Sequence, residues 1–226
     1  MKEWAGYGDE QYTYREEYLF EELRSESQST VAEECPCGQV SNEMPDERQF
    51  RCEDCFGVEL LCQRCCLAAH RRLPLHKIEV NPFTVLIYAL ILTGNCLQKW
   101  NGKFFERITL KQLGLAVQIG HEDMHCYCPE CGHTDFLVID VNGIHPVTVN
   151  FCGCEQRVSH RRQLLQCNWY PLTVHNPRTA CTRRALDHFL QLTLSSKVSG
   201  YEYYRTLEHL TDNTGINIPK VSNTAH

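Results

Sequence analysis

An α+β chain of small domains, held by paired cysteines more than by one large core, is what the sequence predicts. Three observations predict it. Fifteen cysteines and eleven histidines occur in 226 residues, and most of the cysteines stand one or two residues from another. Two runs of alternating apolar and polar residues, FLVIDV and IHPVTVNF, meet at Asn142-Gly143, the pattern of a β-hairpin whose turn tolerates positive φ. Beyond Pro177 the apolar residues change to helical spacing.

The cysteine pattern asks for a chemical reading first. A disulfide scaffold normally follows a secretory leader, and the N-terminus, MKEWAGYGDEQYTYREEYLFEEL, is acidic and aromatic with no apolar segment. In a reducing compartment, closely spaced cysteines with histidines nearby are metal ligands. Residues 1–34 read as an acidic, disordered leader in which Tyr18, Leu19 and Leu23 form one short amphipathic turn. The net charge of −6 argues against a broad electrostatic grip on nucleic acid, and the pairs Arg71-Arg72, Arg161-Arg162 and Arg183-Arg184 are what solvated helix faces produce.

Residues 35–79 carry four pairs: Cys35 and Cys37, Cys52 and Cys55, Cys62 and Cys65, His70 and His76. Zinc takes four soft or borderline ligands in a tetrahedron, and a Cys-x-x-Cys turn supplies two of them. Four pairs therefore suit two Zn2+ ions. Interleaving, with the first pair joining the third and the second the fourth, is one arrangement; sequential sites are the other. Cys66 is a rival for Cys65, although its spacing from Cys62 is less apt.

A very apolar run, NPFTVLIYALILTGNCLQ, follows within 80–99. Its apolar centre, Phe83 to Leu92, is short of the roughly 20 residues a membrane span needs, so no membrane association is expected. Its 19 codons from Val80 to Gln98 preserve the reading frame, and codons for Val80-Asn81 and Gln98 can hold donor and acceptor signals, so a retained intron is expected. A genuine core element is the alternative.

Residues 100–215 hold the second block. Cys128-Pro-Glu-Cys131 reads as another knuckle, and the hairpin at Asn142-Gly143 returns the chain to Cys152-Gly153-Cys154. Knuckle, hairpin and second pair describe a zinc-ribbon-like site for one Zn2+ with ligands Cys128, Cys131, Cys152 and Cys154. His121, His125, Cys126 and His133 are rival ligands. Pro177 suits a first helical position. Leu186, Phe189, Leu190 and Leu194 then read as a core face, Ser199-Gly-Tyr-Glu202 as a capping box, and Tyr204, Leu207 and Leu210 as the face of a second helix. Residues 216–226 are a tail, and Val221-Ser222-Asn223 can encode a second splice donor, so a truncated copy is expected.

The stretch RCEDCFGVELLCQRCCLAAHRRLPLH resembles a B-box zinc finger. The segments FFERITLKQLGLAVQIGH, FLVIDVNGIHPVTVNFCGCE and QLLQCNWYPLTVHNPRTACTRRALDHFLQLTLSSKVSGYEYYRTLEHLTDNTG resemble the CxC-type cysteine cluster associated with KDZ (Kyakuja–Dileera–Zisupton) transposases, chiefly fungal. The resemblance implies a zinc-chelating module lying before an RNase H-like catalytic domain. Cys131 is not a regular feature of that family, which implies His121 or another residue as the fourth ligand. A non-catalytic, zinc-binding module of a transposase is therefore expected, with DNA or a protein as its partner. Nuclear residence is implied by the resemblance alone, with the cytoplasm as the other compartment. The alternative is a RING- or B-box-like ubiquitin ligase component or protein-interaction adaptor. Catalysis is not expected. A catalytic zinc keeps one position for water, whereas each cluster here can fill four.

Overall fold

The computed structural model describes residues 14–26, 35, 37, 50–56, 60–80, 106–121, 126–155, 157–173, 176–215 and 218–219. The chain divides into two compact units, each described by itself: residues 1–69 with 76–108, and residues 70–75 with 109–226. Among the described residues no helix is long and apolar enough to cross a membrane. The apolar stretch 81–98 lies outside them, as do His125 and the second-donor residues 221–223.

The first unit begins with helix α1, Tyr14–Glu26. This corrects the expected disordered leader over these residues. Glu, Leu and Arg are strong helix formers, and Glu16 and Glu17 oppose the positive end of the helix in its first turn. Tyr18, Leu19, Phe20 and Leu23 remain exposed on it. Three short strands, β1 (Phe50–Cys52), β2 (Ile78–Val80) and β3 (Glu106–Ile108), form an antiparallel sheet in that order. Helix α2, Gln63–Ala69, follows the second cysteine pair. Phe50, Ile78, Val80 and Cys66 are buried, and Arg51 and Glu79, directly opposite across β1 and β2, form an ion pair. Two expected boundaries move. Val80, assigned by sequence to the inserted segment, is a β-branched, buried strand residue paired with Phe50 and Glu106. By contacts the second unit takes residues 70–75 and 109–226, residues 106–108 staying with the first because β3 completes its sheet.

The second unit contains two sheets. One has the order β4-β8-β5, from Ala116–Gln118, Thr148–Cys152 and Pro129–Cys131. The other has the order β7-β6-β10-β9, from Gly143–Pro146, Leu137–Asp140, Thr179–Thr182 and Trp169–Pro171. Helix α3 is His160–Gln166, α4 is Arg183–Ser196 and α5 is Gly200–Thr211. Every residue of β6 and β10 is buried. Alternate residues of these central strands serve two cores. Phe136, Val138 and Ala180 meet Val117, Val149, Phe151, Leu164 and Trp169 on one side. Leu137, Ile139 and Cys181 meet Ala185, Tyr203 and Leu207 of the helices on the other.

The hairpin forms between β6 and β7, one residue earlier than expected. Asp140 pairs with Gly143, so Val141-Asn142 is the loop and Gly143, at φ 144°, starts the return strand. The chain then leaves this sheet, and β8 pairs instead with β4 and β5.

Pro177 does not begin a helix, because Thr179–Thr182 is drawn into a parallel ladder with β6. The helix starts at Arg183, capped by the Thr182 hydroxyl, which accepts from the Ala185 N–H. Of the expected α4 core face, Phe189 packs inward with Ala185 and Leu192. Leu186, Leu190 and Leu194 are 36%, 52% and 71% exposed. Two apolar stripes share this helix. Ala185, fully buried and small, sets the close approach that picks the other one.

The capping box at Ser199 is present as expected, with Ser199 Oγ accepting from the Glu202 N–H and the Glu202 carboxylate accepting from the Ser199 N–H. On α5, Leu207 is buried and Tyr204 half-buried, while Leu210 stays exposed. Substituting Ser199→Ala should cost about 1 kcal/mol, read as a lower urea midpoint at unchanged slope.

Candidate metal centres

Three groups of four side chains bring one ligand atom each within 4.8 Å of one another, and each group could hold a metal ion. The first is Cys35, Cys37, Cys62 and Cys65; the second is Cys52, Cys55, His70 and His76. The pairs interleave, first with third and second with fourth. All eight sequence candidates of the first block are thereby brought together.

Local structure explains the first two groups. Cys62 stands at the start of α2, and the turn into the helix aims the Cys65 N–H at the Cys62 sulfur, 3.4 Å away. Cys66, the rival, points elsewhere: it is 1% exposed and its N–H closes the helical turn onto the Cys62 carbonyl. Burial pushes its thiol up to about 12. In the second group, His76 Nδ1 lies 3.4 Å from both Cys52 and Cys55 Sγ. Asp54, between those cysteines, accepts the Lys77 N–H at 2.7 Å and fixes the segment carrying His76.

The third group is His121, Cys126, Cys152 and Cys154. His121 Nε2 is 3.1 Å from Cys152 Sγ and 3.6 Å from Cys154 Sγ, and Cys126 Sγ is 3.7 Å from Cys154 Sγ. Cys152 and Cys154 are therefore placed as expected, but Cys128 and Cys131 are exposed and outside the group. A knuckle needs a turn between its cysteines. Pro129–Cys131 is instead an extended strand, with Pro129 opposite Cys152 and Cys131 opposite Asn150. Two strand residues span about 7 Å, so Cys131 sits too far along β5 to meet Cys152. Of the other rivals, His133 accepts the Asp135 N–H at 3.0 Å and stays outside the group.

Two glycines and one glutamine hold this third group. Cys154 donates its N–H to Cys152 Sγ, with Gly153 between them. A Cβ on Gly153 would come within 2.7 Å of the Cys128 carbonyl oxygen, so only glycine admits β5 this close. Gln163 of α3, fully buried, accepts the Cys152 N–H at 2.8 Å and donates to the Cys152 carbonyl at 3.0 Å and the Val158 carbonyl at 2.8 Å. Gly120, at φ 79°, leaves room for that amide, since a Cβ there would lie 2.4 Å from Gln163 Oε1. Beside the group lies an open cleft of about 640 Å³ lined by His121, Cys128, Cys152, Cys154, Arg157 and Gln166.

Crowded thiols compete to ionise. Burial raises Cys35, yet hydrogen bonds from the Cys37 and Cys62 backbone outweigh it and draw the thiol down to about 7. Hydrogen bonding to Cys62, then burial, pushes Cys65 up to about 12. Burial and then Cys55 push Cys52 up to about 12. Cys154 is raised to about 11, first by hydrogen bonding to Cys152 and Cys126. A divalent cation held by these residues would end this competition, because each thiolate would then face positive charge instead of another anion.

Among the described residues no disulfide is formed. Cys181 packs in the helix-side core, where burial raises its thiol to about 11.

No curated protein and no solved structure matches the chain. Residues 110–215, which contain the whole third group, match the family described as CxC2 like cysteine cluster associated with KDZ transposases. Over these residues the chain is similar to the CxC2-like cysteine clusters associated with KDZ transposases.

Proposed function

We propose that the chain is a non-catalytic zinc-binding module of a KDZ-type transposase, carrying three structural Zn2+ ions and binding DNA or protein. The observation that supports it most is the convergence of three sets of four thiol and imidazole donors, each within 4.8 Å. Sulfur-rich and mixed sulfur–nitrogen tetrads select zinc over hard cations such as magnesium. Four protein donors per ion leave no position for a water nucleophile, which is the reason to read the sites as structural. The family association supports a nuclear place of work.

The ligands of the third site are proposed to be His121, Cys126, Cys152 and Cys154. Elemental analysis of the purified chain should give about three zinc ions per molecule. Cys126→Ser should lower that count by one, whereas Cys131→Ser should leave it unchanged. The reverse pattern would return Cys131 to the site and remove Cys126. The interleaved pairs of the first block also suit a RING- or B-box-like adaptor, a reading that predicts ubiquitin transfer with a conjugating enzyme and no affinity for nucleic acid.

A further inference from the structure

The arginines are unevenly placed. Residues 156–186 contain six arginines, at positions 157, 161, 162, 178, 183 and 184, and no Asp or Glu. The acidic excess of the chain lies elsewhere, so the net charge of −6 conceals a strongly basic stretch.

The fold gathers five of these arginines around one short element. Arg157 precedes α3, and Arg161 and Arg162 occupy its first turn, both exposed. After its last turn, the Asn168 carbonyl accepts the Arg183 N–H at 2.9 Å. Arg183 and Arg184 line a concavity of about 530 Å³ with Cys167, Asn168 and Trp169. Arginines thus stand at both ends of a seven-residue helix, which is about 10 Å long. Among the described residues, no salt bridge is formed by Arg161 or Arg162. Arg157, Arg183 and Arg184 pair with Glu130, Asp187 and Asp140, yet their own side chains remain 50%, 58% and 64% exposed. The pairs of Arg157 with Glu130 and Arg183 with Asp187 are exposed on both sides, weak and open to exchange with a stronger anion, whereas Arg184 is held on the buried Asp140 carboxylate.

We infer that the α3 surface, built from Arg157, Arg161, Arg162, Arg183 and Arg184, binds the phosphate backbone of nucleic acid. Duplex DNA presents one negative charge per about 1.7 Å of axis, so a strip of this length meets several phosphates. Guanidinium is the side chain suited to bidentate phosphate contact. The third metal group sets the position of this strip, since Gln163 clamps α3 to the backbone of Cys152. The inference rests on the reading of the chain as a binding module and chooses nucleic acid over protein as its partner.

The test uses the zinc-loaded full chain and a fluorescent 20-base-pair duplex, with anisotropy followed from about 50 to 200 mM salt. The wild type should bind with a steep salt dependence. The double variant Arg161→Ala/Arg162→Ala should bind about tenfold more weakly at low salt, with the log–log slope reduced by about 2. Arg205→Ala, on α5, should leave the slope unchanged. A double variant with the wild-type slope overturns the inference, as does a wild type that holds its zinc but binds no duplex. A chain that holds no zinc yet shows the full slope sinks the zinc reading and leaves the arginine surface standing.

Discussion

Exhaustive chelation should unfold the first unit completely while sparing part of the second. The first unit's described sheet has three strands of three residues each, and its second helix has seven. Elements this short do not hold a stable interior by themselves. Structural zinc supplies roughly 10–16 kcal/mol in small fingers, comparable with or above the whole stability of a typical domain. In the second unit, Leu137, Ile139, Ile144, Tyr203 and Leu207 form a core between sheet and helices that includes none of the third group. Hydrogen exchange should therefore show lost protection throughout β1, β2 and β3 and in β8 and α3. The β6–β10 ladder and α5 should keep theirs. If β1 and β2 exchange as slowly after metal removal, checked by elemental analysis, as before it, the zinc account of the first unit is wrong.

Gln163→Leu should destabilise the second unit by roughly 3–5 kcal/mol. The substitution keeps approximate volume but strips partners from the Cys152 N–H, the Cys152 carbonyl and the Val158 carbonyl, each costing about 1–3 kcal/mol when buried and unmade. Loss of the clamp also loosens Cys152, so zinc at the third site should bind about 10- to 100-fold more weakly. Competition with a chromophoric chelator measures that affinity, and urea unfolding at fixed free zinc measures stability. An effect under about 1 kcal/mol with unchanged affinity would show that α3 does not position the ligand strand.

The first block was legible because its chemistry is local. Cys52-x-x-Cys55 and Cys62-x-x-Cys65 announce their spacing in sequence, and two of their partner pairs are also near neighbours. The interleaving was one of two arrangements, and only the path through α2 decides it. The third group is half legible: the sequence points to Cys152 and Cys154 and holds His121 and Cys126 as rivals, whereas the structure gathers those rivals with the pair in place of Cys128 and Cys131. The Cys-x-x-Cys spacing matched a knuckle, but β8 draws Pro129–Cys131 into its ladder, a long-range pairing that no local pattern encodes. The same long-range pairing keeps Pro177 out of a helix, since β6 lies 42 residues upstream of the strand it recruits, Leu137 opposite Thr179. The cap at Ser199 needed no distant partner and was read in full.

The β2–β3 pairing has one more consequence. These neighbours in the first sheet are joined by the 25 residues 81–105, and Val80 faces Glu106 across the ladder. Treated as a loop closed by the Val80–Glu106 rung, a connection of any length there enters stability only through its closure entropy. Cutting it to about six residues changes the entropy of ring closure by only about 1.3 kcal/mol. Shortening confined to 81–105 therefore leaves every rung of β2 and β3 in place, whereas a cut that also takes Val80 removes the partner of Phe50 and Glu106.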